Sequence, residues 1–170
     1  MDARTINVAK KMISKKDLKF LEIIDKLEPQ ALCLRAHIAA LVVKNNKILL
    51  KHTNDWHCQY PCTELGCIRN KMNIKSGERR EICYGICAEQ WIIAKAALKG
   101  IPLKGATLYC TKHPCRICSS LIAESGIKRV VYQEGYPEVL EHFNILHDSN
   151  VKVEQAPITK FKKLGGAHTI

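Results

Sequence analysis

The chain has 170 residues, 46% of them hydrophobic, and a formal net charge of +11 from 27 basic and 16 acidic side chains. This length is enough to bury the core of one domain, and no apolar run approaches the ~20 residues of a membrane-spanning helix. The N-terminal stretch lacks the apolar core and cleavage site of a secretory signal, so we expect a cytoplasmic protein.

The first half of the chain combines a helix, a hairpin and an irregular stretch. Residues 5–27 carry apolar side chains at helical spacing, which predicts an N-terminal helix within residues 1–29. Two β-runs at 37–52 surround the dipeptide Asn45-Asn46, a pattern typical of a hairpin. Residues 53–84 are polar, irregular and rich in cysteine. A loop of this length usually has a function or a bound staple, so we interpret it as an insertion.

From residue 85 onward, helical and strand patterns alternate. Helices are predicted at 85–100, 115–126 and 137–148, and strands at 106–111, 128–133 and 151–155. Alternation of this kind, preceded by a hairpin, indicates a sheet with helices on its faces and partly parallel strands. We therefore expect residues 1–170 to form a single α/β domain.

Three of the nine cysteines are predicted to meet at one site. Cys87 begins one helix, and Cys115 and Cys118 lie in the first turn of another, directly after Pro114. If the two helices lie side by side, three sulfur atoms converge at helix N-termini, where the backbone dipoles favour thiolate. In a reducing compartment such clusters indicate metal binding or catalysis. Three protein ligands leave a fourth tetrahedral position open, which distinguishes a catalytic zinc from a structural one.

Glu89 lies two residues after Cys87, at the mouth of the same predicted site. A carboxylate there can take a proton from a water molecule that zinc has acidified, and can pass it to a ring nitrogen and a leaving amine. These parts fit the hydrolytic deamination of an amino-substituted base. The alternative is a cluster of reduced cysteines or a structural zinc, neither of which gives Glu89 a role.

The pattern Cys87-Ala88-Glu89, followed after 24 residues by Pro114-Cys115-Arg116-Ile117-Cys118, resembles the zinc signature of the cytidine and deoxycytidylate deaminase superfamily. The resemblance to deoxycytidylate (dCMP) deaminases covers about residues 32–155. It implies a three-layer α/β/α sandwich with a five-stranded mixed sheet. It also implies a zinc-dependent hydrolase that converts dCMP to dUMP, with the three cysteines as zinc ligands and Glu89 as the catalytic residue.

The chain departs from dCMP deaminases at three places, one of which is Ala39, where they usually carry glycine. Cys87 stands where they usually carry histidine, although cytidine deaminases also use three cysteines. The segment His-Thr-Asn-Asp-Trp at 52–56 stands where they have a Gly-Tyr-Asn-Gly loop, and only Asn54 is kept. The resemblance makes Asn54 a candidate for contacting the sugar, and Arg35 and Tyr136 are candidates for meeting phosphate or stacking on a base. The alternatives are a hairpin-exit asparagine and two surface or packing residues.

The insertion predicts a second zinc ion, with a structural role. A thiolate-rich loop without a core of its own is the kind of segment that a structural zinc stabilises. Cys62, Cys67 and Cys83 resemble the cysteines of the insertion in dCMP deaminases, and the fourth ligand would be Cys58 or His57. The alternative is a set of unligated thiols.

Three other functions remain open at this point. The three-cysteine site favours a cytidine or deoxycytidine deaminase, and the charge of +11 favours an RNA deaminase of the tRNA adenosine type. A zinc-stabilised binding module without activity is the third, and Glu89 argues against it. Nucleic acid is not the favoured partner, because no basic and aromatic stripe is present for an unpaired strand. We therefore expect a pyrimidine nucleotide as ligand and, from the resemblance, a homo-oligomer, either a dimer or a hexamer.

Overall fold

A computed structural model describes residues 13–56, 60–135 and 145–163. The helices are α1 (Lys15–Leu27), α2 (Cys62–Leu65), α3 (Ile68–Lys71), α4 (Ala88–Leu98), α5 (Arg116–Glu124), α6 (Ile145–Asp148) and α7 (Lys160–Lys163). The strands are β1 (Ala39–Lys44), β2 (Lys47–Thr53), β3 (Asp55–Trp56), β4 (Gly85–Ile86), β5 (Thr107–Lys112), β6 (Arg129–Glu134) and β7 (Lys152–Gln155). Short 3₁₀ turns occupy Glu28–Gln30 and Arg80–Ile82. Within these residues, no helix has the length and apolar character that crossing a membrane requires.

The main sheet has five strands in the order β2-β1-β5-β6-β7. Strand β1 pairs antiparallel with β2 and β5, whereas β5, β6 and β7 run parallel. The parallel part follows from the helical crossovers between these strands. The prediction of a five-stranded mixed sheet is confirmed.

The predicted hairpin is present, and its turn explains the two asparagines. Asn45 and Asn46 have φ values of +52° and +60°, in the left-handed region. Two-residue hairpin loops with left-handed residues match the twist of the flanking strands, and asparagine tolerates this conformation better than most residues.

Helices cover both faces of the sheet, which confirms the α/β/α sandwich. On one face, α4, α5 and α6 bury residues such as Ile92, Ile122 and Leu146 against alternate side chains of the strands. On the other face, α1 buries Leu21 and Ile24. The catalytic candidates all lie in the first layer, at the N-terminal ends of α4 and α5.

Helix α1 is fixed to the sheet by a buried carboxylate. Asp17 forms a capping box with Ser14 at the start of the helix. Its Oδ1 also accepts hydrogen bonds from Tyr109 Oη and Arg129 Nη1, both at 2.6 Å. The hydrogen bonds therefore join α1 to two strands that are distant in sequence.

The structure differs from the sequence-based expectation where the insertion ends. Gly85 and Ile86 form β4 and pair with Trp56 and Asp55 of β3, so the helix predicted from residue 85 begins at Ala88 instead. This two-stranded ribbon joins the two ends of the insertion, a tertiary contact that helical spacing does not reveal. Of the helix predicted at 137–148, only Ile145–Asp148 lies within the described residues.

Candidate active site

The three predicted metal ligands lie together at the ends of two neighbouring helices. Cys87 and Cys115 are the N-cap residues of α4 and α5, with extended backbone angles, and Cys118 lies in the first turn of α5. Their Sγ atoms all lie within 4.8 Å of one another, and those of Cys115 and Cys118 are 3.4 Å apart. The sequence spacing thus identified residues that the fold brings together.

A hydrogen bond to a side chain fixes the position of Cys87 at the start of α4. The backbone N–H of Cys87 donates to Oε1 of Gln90 at 3.1 Å, and its carbonyl accepts from the N–H of Trp91 at 3.0 Å. Both bonds fix the N-cap geometry, so the sulfur leaves the helix end in a defined direction. Gln90 is a residue that the motif analysis did not identify.

The donor set fits zinc. Zinc–sulfur bonds of about 2.3 Å in a tetrahedron place sulfur atoms about 3.8 Å apart, which is compatible with three sulfurs that all lie within 4.8 Å of one another. Hydrogen bonds from the thiols of Cys118 and Cys87 lower the pKa of Cys115 well below its usual value. The cluster therefore stabilises a thiolate, which is the form that binds metal.

The predicted structural zinc site cannot be traced in the same way, because part of it is not described. In residues 13–56, 60–135 and 145–163, only Cys87, Cys115 and Cys118 form a group of three metal-binding side chains at such separations. The three insertion cysteines in this part of the chain, Cys62, Cys67 and Cys83, do not form a second group by themselves. The proposed fourth ligands, His57 and Cys58, lie outside the described residues.

Glu89 is buried beside the cysteine cluster. It lies in the first turn of α4, only 4% of its surface is exposed, and Oε2 has no hydrogen-bond partner among the described residues. Burial raises the pKa of Glu89 to about 7. A carboxylate with this pKa can both accept and donate a proton near neutral pH.

A pocket of about 310 Å³ opens at this site. Cys87, Cys115 and Gln90 line one part of its wall, and Asn54 and Arg35 line another. A volume near 300 Å³ is at the lower end of the range for small-molecule sites.

The three candidate substrate residues have different surroundings. The side chain of Asn54 accepts from the backbone N–H of Ile38 at 2.8 Å and donates to the carbonyl of Ala36 at 2.7 Å, so it also holds the pocket wall. Arg35 donates through Nη2 to the carbonyl of Ile74 at 2.8 Å. Tyr136 lies outside the described residues.

The insertion contributes polar residues to the pocket that sequence reasoning missed. Arg69, Ser76 and Arg80 all line it. The sole signal in the sequence was the number of basic residues between 69 and 80, and this does not tell which of them face inward.

The sequence is similar to those of known proteins over most of its length. The family model described as "Cytidine and deoxycytidylate deaminase zinc-binding region" matches residues 14–134. A deoxycytidylate deaminase of Schizosaccharomyces pombe is 26% identical over 140 residues, which cover 82% of this chain and 43% of that protein. A deoxycytidylate deaminase of Mycobacterium phage D29 is 31% identical over 122 residues, covering 68% of this chain and 92% of that protein.

The fold is also similar to a solved structure. The crystal structure of dCMP deaminase from the cyanophage S-TIM5, in complex with dCMP and dUMP, superposes with a TM-score of 0.70. Sequence identity is 26%, and the match covers 85% of this chain and 99% of that one. The chain spans less than half the length of the yeast relatives but nearly the whole length of the Mycobacterium phage D29 and cyanophage S-TIM5 proteins.

Proposed function

We propose that this chain, which belongs to the cytidine and deoxycytidylate deaminase family, hydrolyses dCMP to dUMP and releases ammonia. The observation that carries the proposal is the position of Glu89, a carboxylate that is 4% exposed, unpaired at Oε2 among the described residues and next to three clustered sulfurs. A buried, unsatisfied carboxylate is costly for stability, so its presence favours a role in proton transfer. The similarity to dCMP deaminases supports cytosine, in the form of dCMP, as the base that is deaminated.

Cys87, Cys115 and Cys118 would hold the metal ion. A bound zinc ion would supply a hydroxide nucleophile near neutral pH. Glu89 accepts a proton from the attacking water and donates it to N3 of the cytosine ring while the C4–O bond forms. The remaining hydroxyl proton passes to the exocyclic nitrogen. The C4–N bond then breaks, ammonia leaves, and C4 becomes the carbonyl of uracil.

The reaction is tested with zinc-loaded protein and two substrates, dCMP and deoxycytidine, at equal concentration. Loss of the exocyclic amine is followed by ultraviolet absorbance. We expect turnover of dCMP well above that of deoxycytidine. Preference for deoxycytidine would contradict the nucleotide substrate, and the absence of turnover with both would contradict the proposed reaction.

We also propose a second, structural zinc ion in the insertion. Support comes from Cys67, which is buried, and Cys83, which is half-buried, in a segment whose helices have four residues each. We expect about two zinc ions per wild-type chain by elemental analysis and about one in Cys67→Ser. A wild-type count of one would contradict the second site.

A homo-oligomer, dimer or hexamer, is a further proposal. Its support is a set of exposed large apolar side chains, which includes Leu32, Leu34, Tyr84, Ile117 and Leu121. Two of them, Leu32 and Ile117, also line the pocket, and exposed apolar groups favour association. Analytical ultracentrifugation measures the mass directly, and a monomer at micromolar concentration would contradict this proposal.

A further inference from the structure

The three candidate metal ligands are fixed to the fold in different ways. Cys115 and Cys118 lie three residues apart at the start of α5, so one helical turn sets the separation of their sulfurs. Cys118 is also completely buried in the hydrophobic core. Cys87 comes from α4 instead and is half-buried at the wall of the pocket. The position of its sulfur relative to the other two therefore depends on how the start of α4 is held.

The backbone that leads into each helix differs as well. Cys115 follows Pro114, whose ring fixes the backbone angle φ and whose carbonyl accepts a hydrogen bond from Oγ of Ser119 at 3.4 Å. Cys87 follows β4, a strand of two residues, a glycine and an isoleucine, which are both half-buried. Glycine leaves the backbone freer than proline does. The start of α4 therefore depends more on hydrogen bonds from within the helix.

Gln90 supplies a hydrogen bond of this kind. The backbone N–H of Cys87 donates to Oε1 of Gln90 at 3.1 Å, which is the side-chain half of a capping box. The bond holds the backbone of the ligand itself, and a single torsion angle, χ1, then determines where Sγ lies. Both residues line the pocket, so the bond lies at its wall. Gln90 therefore limits the directions in which Cys87 can present its sulfur.

A cysteine ligand depends on its backbone more than a histidine ligand does. A histidine that binds a metal through one ring nitrogen is usually oriented by a hydrogen bond at the other ring nitrogen. The side chain of cysteine carries one sulfur atom and no second polar group through which it could be oriented in this way. For Cys87, the bond between its N–H and Gln90 takes the place of that orienting contact.

We propose that Gln90 is a positioning residue for the metal ion: by holding Cys87, it keeps the three sulfurs in register and thereby sets the zinc affinity of the cluster. The inference rests on the proposed function for the presence of zinc, and it does not depend on the identity of the substrate. Outer-shell groups that orient a metal ligand typically change metal affinity or activity by about 10- to 100-fold when they are removed.

The test compares the zinc affinity of the wild type with that of Gln90→Met and Gln90→Glu, by competition with a chromophoric chelator. Methionine keeps the length of the side chain but has no strong acceptor, whereas glutamate keeps an oxygen at the same position. We expect the zinc dissociation constant to rise by about 10- to 100-fold in Gln90→Met and to stay within about threefold of wild type in Gln90→Glu. An unchanged affinity in Gln90→Met, or equal losses in both variants, would overturn the proposal.

Cobalt(II) in place of zinc gives a second measurement, since its absorption bands report the geometry of the ligand set. The spectrum of Gln90→Glu should match that of wild type, and the spectrum of Gln90→Met should differ. An ion in the insertion would contribute equally to all three proteins, because Gln90 bonds to Cys87. Identical cobalt spectra in all three would show that the bond does not position the sulfur.

The matched control is Ser14→Ala, which removes the side-chain cap of α1 on the opposite face of the sheet. Loss of either cap should lower the melting temperature of the zinc-free protein by about 2–4 °C. Ser14→Ala should leave the zinc dissociation constant unchanged. An increase in Ser14→Ala as large as that in Gln90→Met would assign the effect to general destabilisation and overturn the proposal.

Zinc binding is measured without substrate, which separates this inference from the proposed reaction. If the wild type does not deaminate dCMP but Gln90→Met still binds zinc more weakly than Gln90→Glu, the reaction is wrong and the role of Gln90 stands. If the wild type deaminates dCMP and all three proteins bind zinc equally, the reaction stands and the role of Gln90 is wrong.

Discussion

Two carboxylates are buried on opposite faces of the same sheet, and their surroundings differ. Asp17, in α1, accepts hydrogen bonds from Ser14, Tyr109 and Arg129. Glu89, in α4, has an Oε2 without a partner in the described part of the chain. Both are at most 5% exposed, so burial alone does not distinguish them.

The pKa values show the consequence of this difference. Burial acts to raise the pKa of Asp17, but hydrogen bonds from Arg129, Ser14 and Tyr109 lower it below its ordinary value. Burial raises the pKa of Glu89 to about 7, because it outweighs the effects that lower it, among them a backbone hydrogen bond and the charge of Arg80. A satisfied carboxylate stabilises the fold, whereas an unsatisfied one lowers stability and remains available for chemistry. We therefore infer that the face with Glu89 serves the proposed reaction, whereas the face with Asp17 holds the fold together.

The largest effect is expected from Glu89→Gln. This change keeps the shape of the side chain and removes its ability to carry a proton, so kcat should fall by about 10²- to 10⁴-fold. Zinc content should not change, and the free energy of unfolding should stay the same or rise, because a buried charge is lost. Turnover and elemental analysis are measured on the same preparation.

The control for this change is Glu124→Gln, an exposed glutamate at the end of α5, which should keep full activity. Turnover of Glu89→Gln within a factor of about three of wild type would show that another group moves the proton. Loss of zinc in the variant would instead assign Glu89 a part in metal binding.

On the opposite face, Asp17→Asn should lower the free energy of unfolding by about 3 kcal/mol. The reason is that Arg129 loses a buried ionic partner, and removing one member of such a pair typically costs about 3–5 kcal/mol. Arg129 keeps Glu154, which places the estimate at the lower end. Urea unfolding measures the change, with the exposed Asp148→Asn as control. A loss below about 1 kcal/mol would mean that α1 is held by apolar packing alone.

The sequence predicted the face of the sheet that carries Glu89 better than the face that carries Asp17. Cys87, Glu89, Cys115 and Cys118 lie at helix starts within 32 residues of one another, so the motif spacing, together with the family resemblance, predicted that they lie together. The bond between Asp17 and Arg129 instead joins residues 112 positions apart. No local pattern encodes such a contact, and it depends on how the strands are ordered.

The same reason explains what was missed in the insertion. The pairing of β3 with β4 and the inward direction of Arg69 and Arg80 both depend on where the chain returns after about thirty residues. The composition of the insertion indicated only that this segment is basic and rich in cysteine. The family resemblance predicted the five-stranded sheet and the cluster of three cysteines, whereas only the structure shows that Arg69 and Arg80 line the pocket.

A pH titration compares Asp17 with a second buried carboxylate of α1, that of Asp25. Burial raises the pKa of Asp25 although Thr159 and Gln133 donate hydrogen bonds to it. Because its folded pKa is above the unfolded value of about 3.9, stability should rise as the pH falls through the folded pKa. Asp17 has the opposite sign: its contribution is present above about 3.9 and is lost as the pH falls towards its lower folded pKa.

The measurement is the free energy of unfolding from neutral to acidic pH in wild type, Asp25→Asn and Asp17→Asn. Relative to Asp25→Asn, the wild type should gain stability on mild acidification, by at most about 1.4 kcal/mol per unit of pKa difference. Relative to Asp17→Asn, it should lose stability only below about pH 4. Parallel curves for wild type and Asp25→Asn would show that Asp25 does not titrate differently on folding.

The smallest effect is expected where an ion pair is exposed. Arg79 and Glu81 form a salt bridge, but their side chains are 57% and 61% exposed. Water screens such pairs and competes for both groups, so Arg79→Gln should shift the melting temperature by less than about 2 °C. Differential scanning calorimetry beside Asp17→Asn tests both pairs under one condition. A shift in Arg79→Gln as large as that in Asp17→Asn would mean that burial and partner number do not separate structural from incidental charges in this molecule.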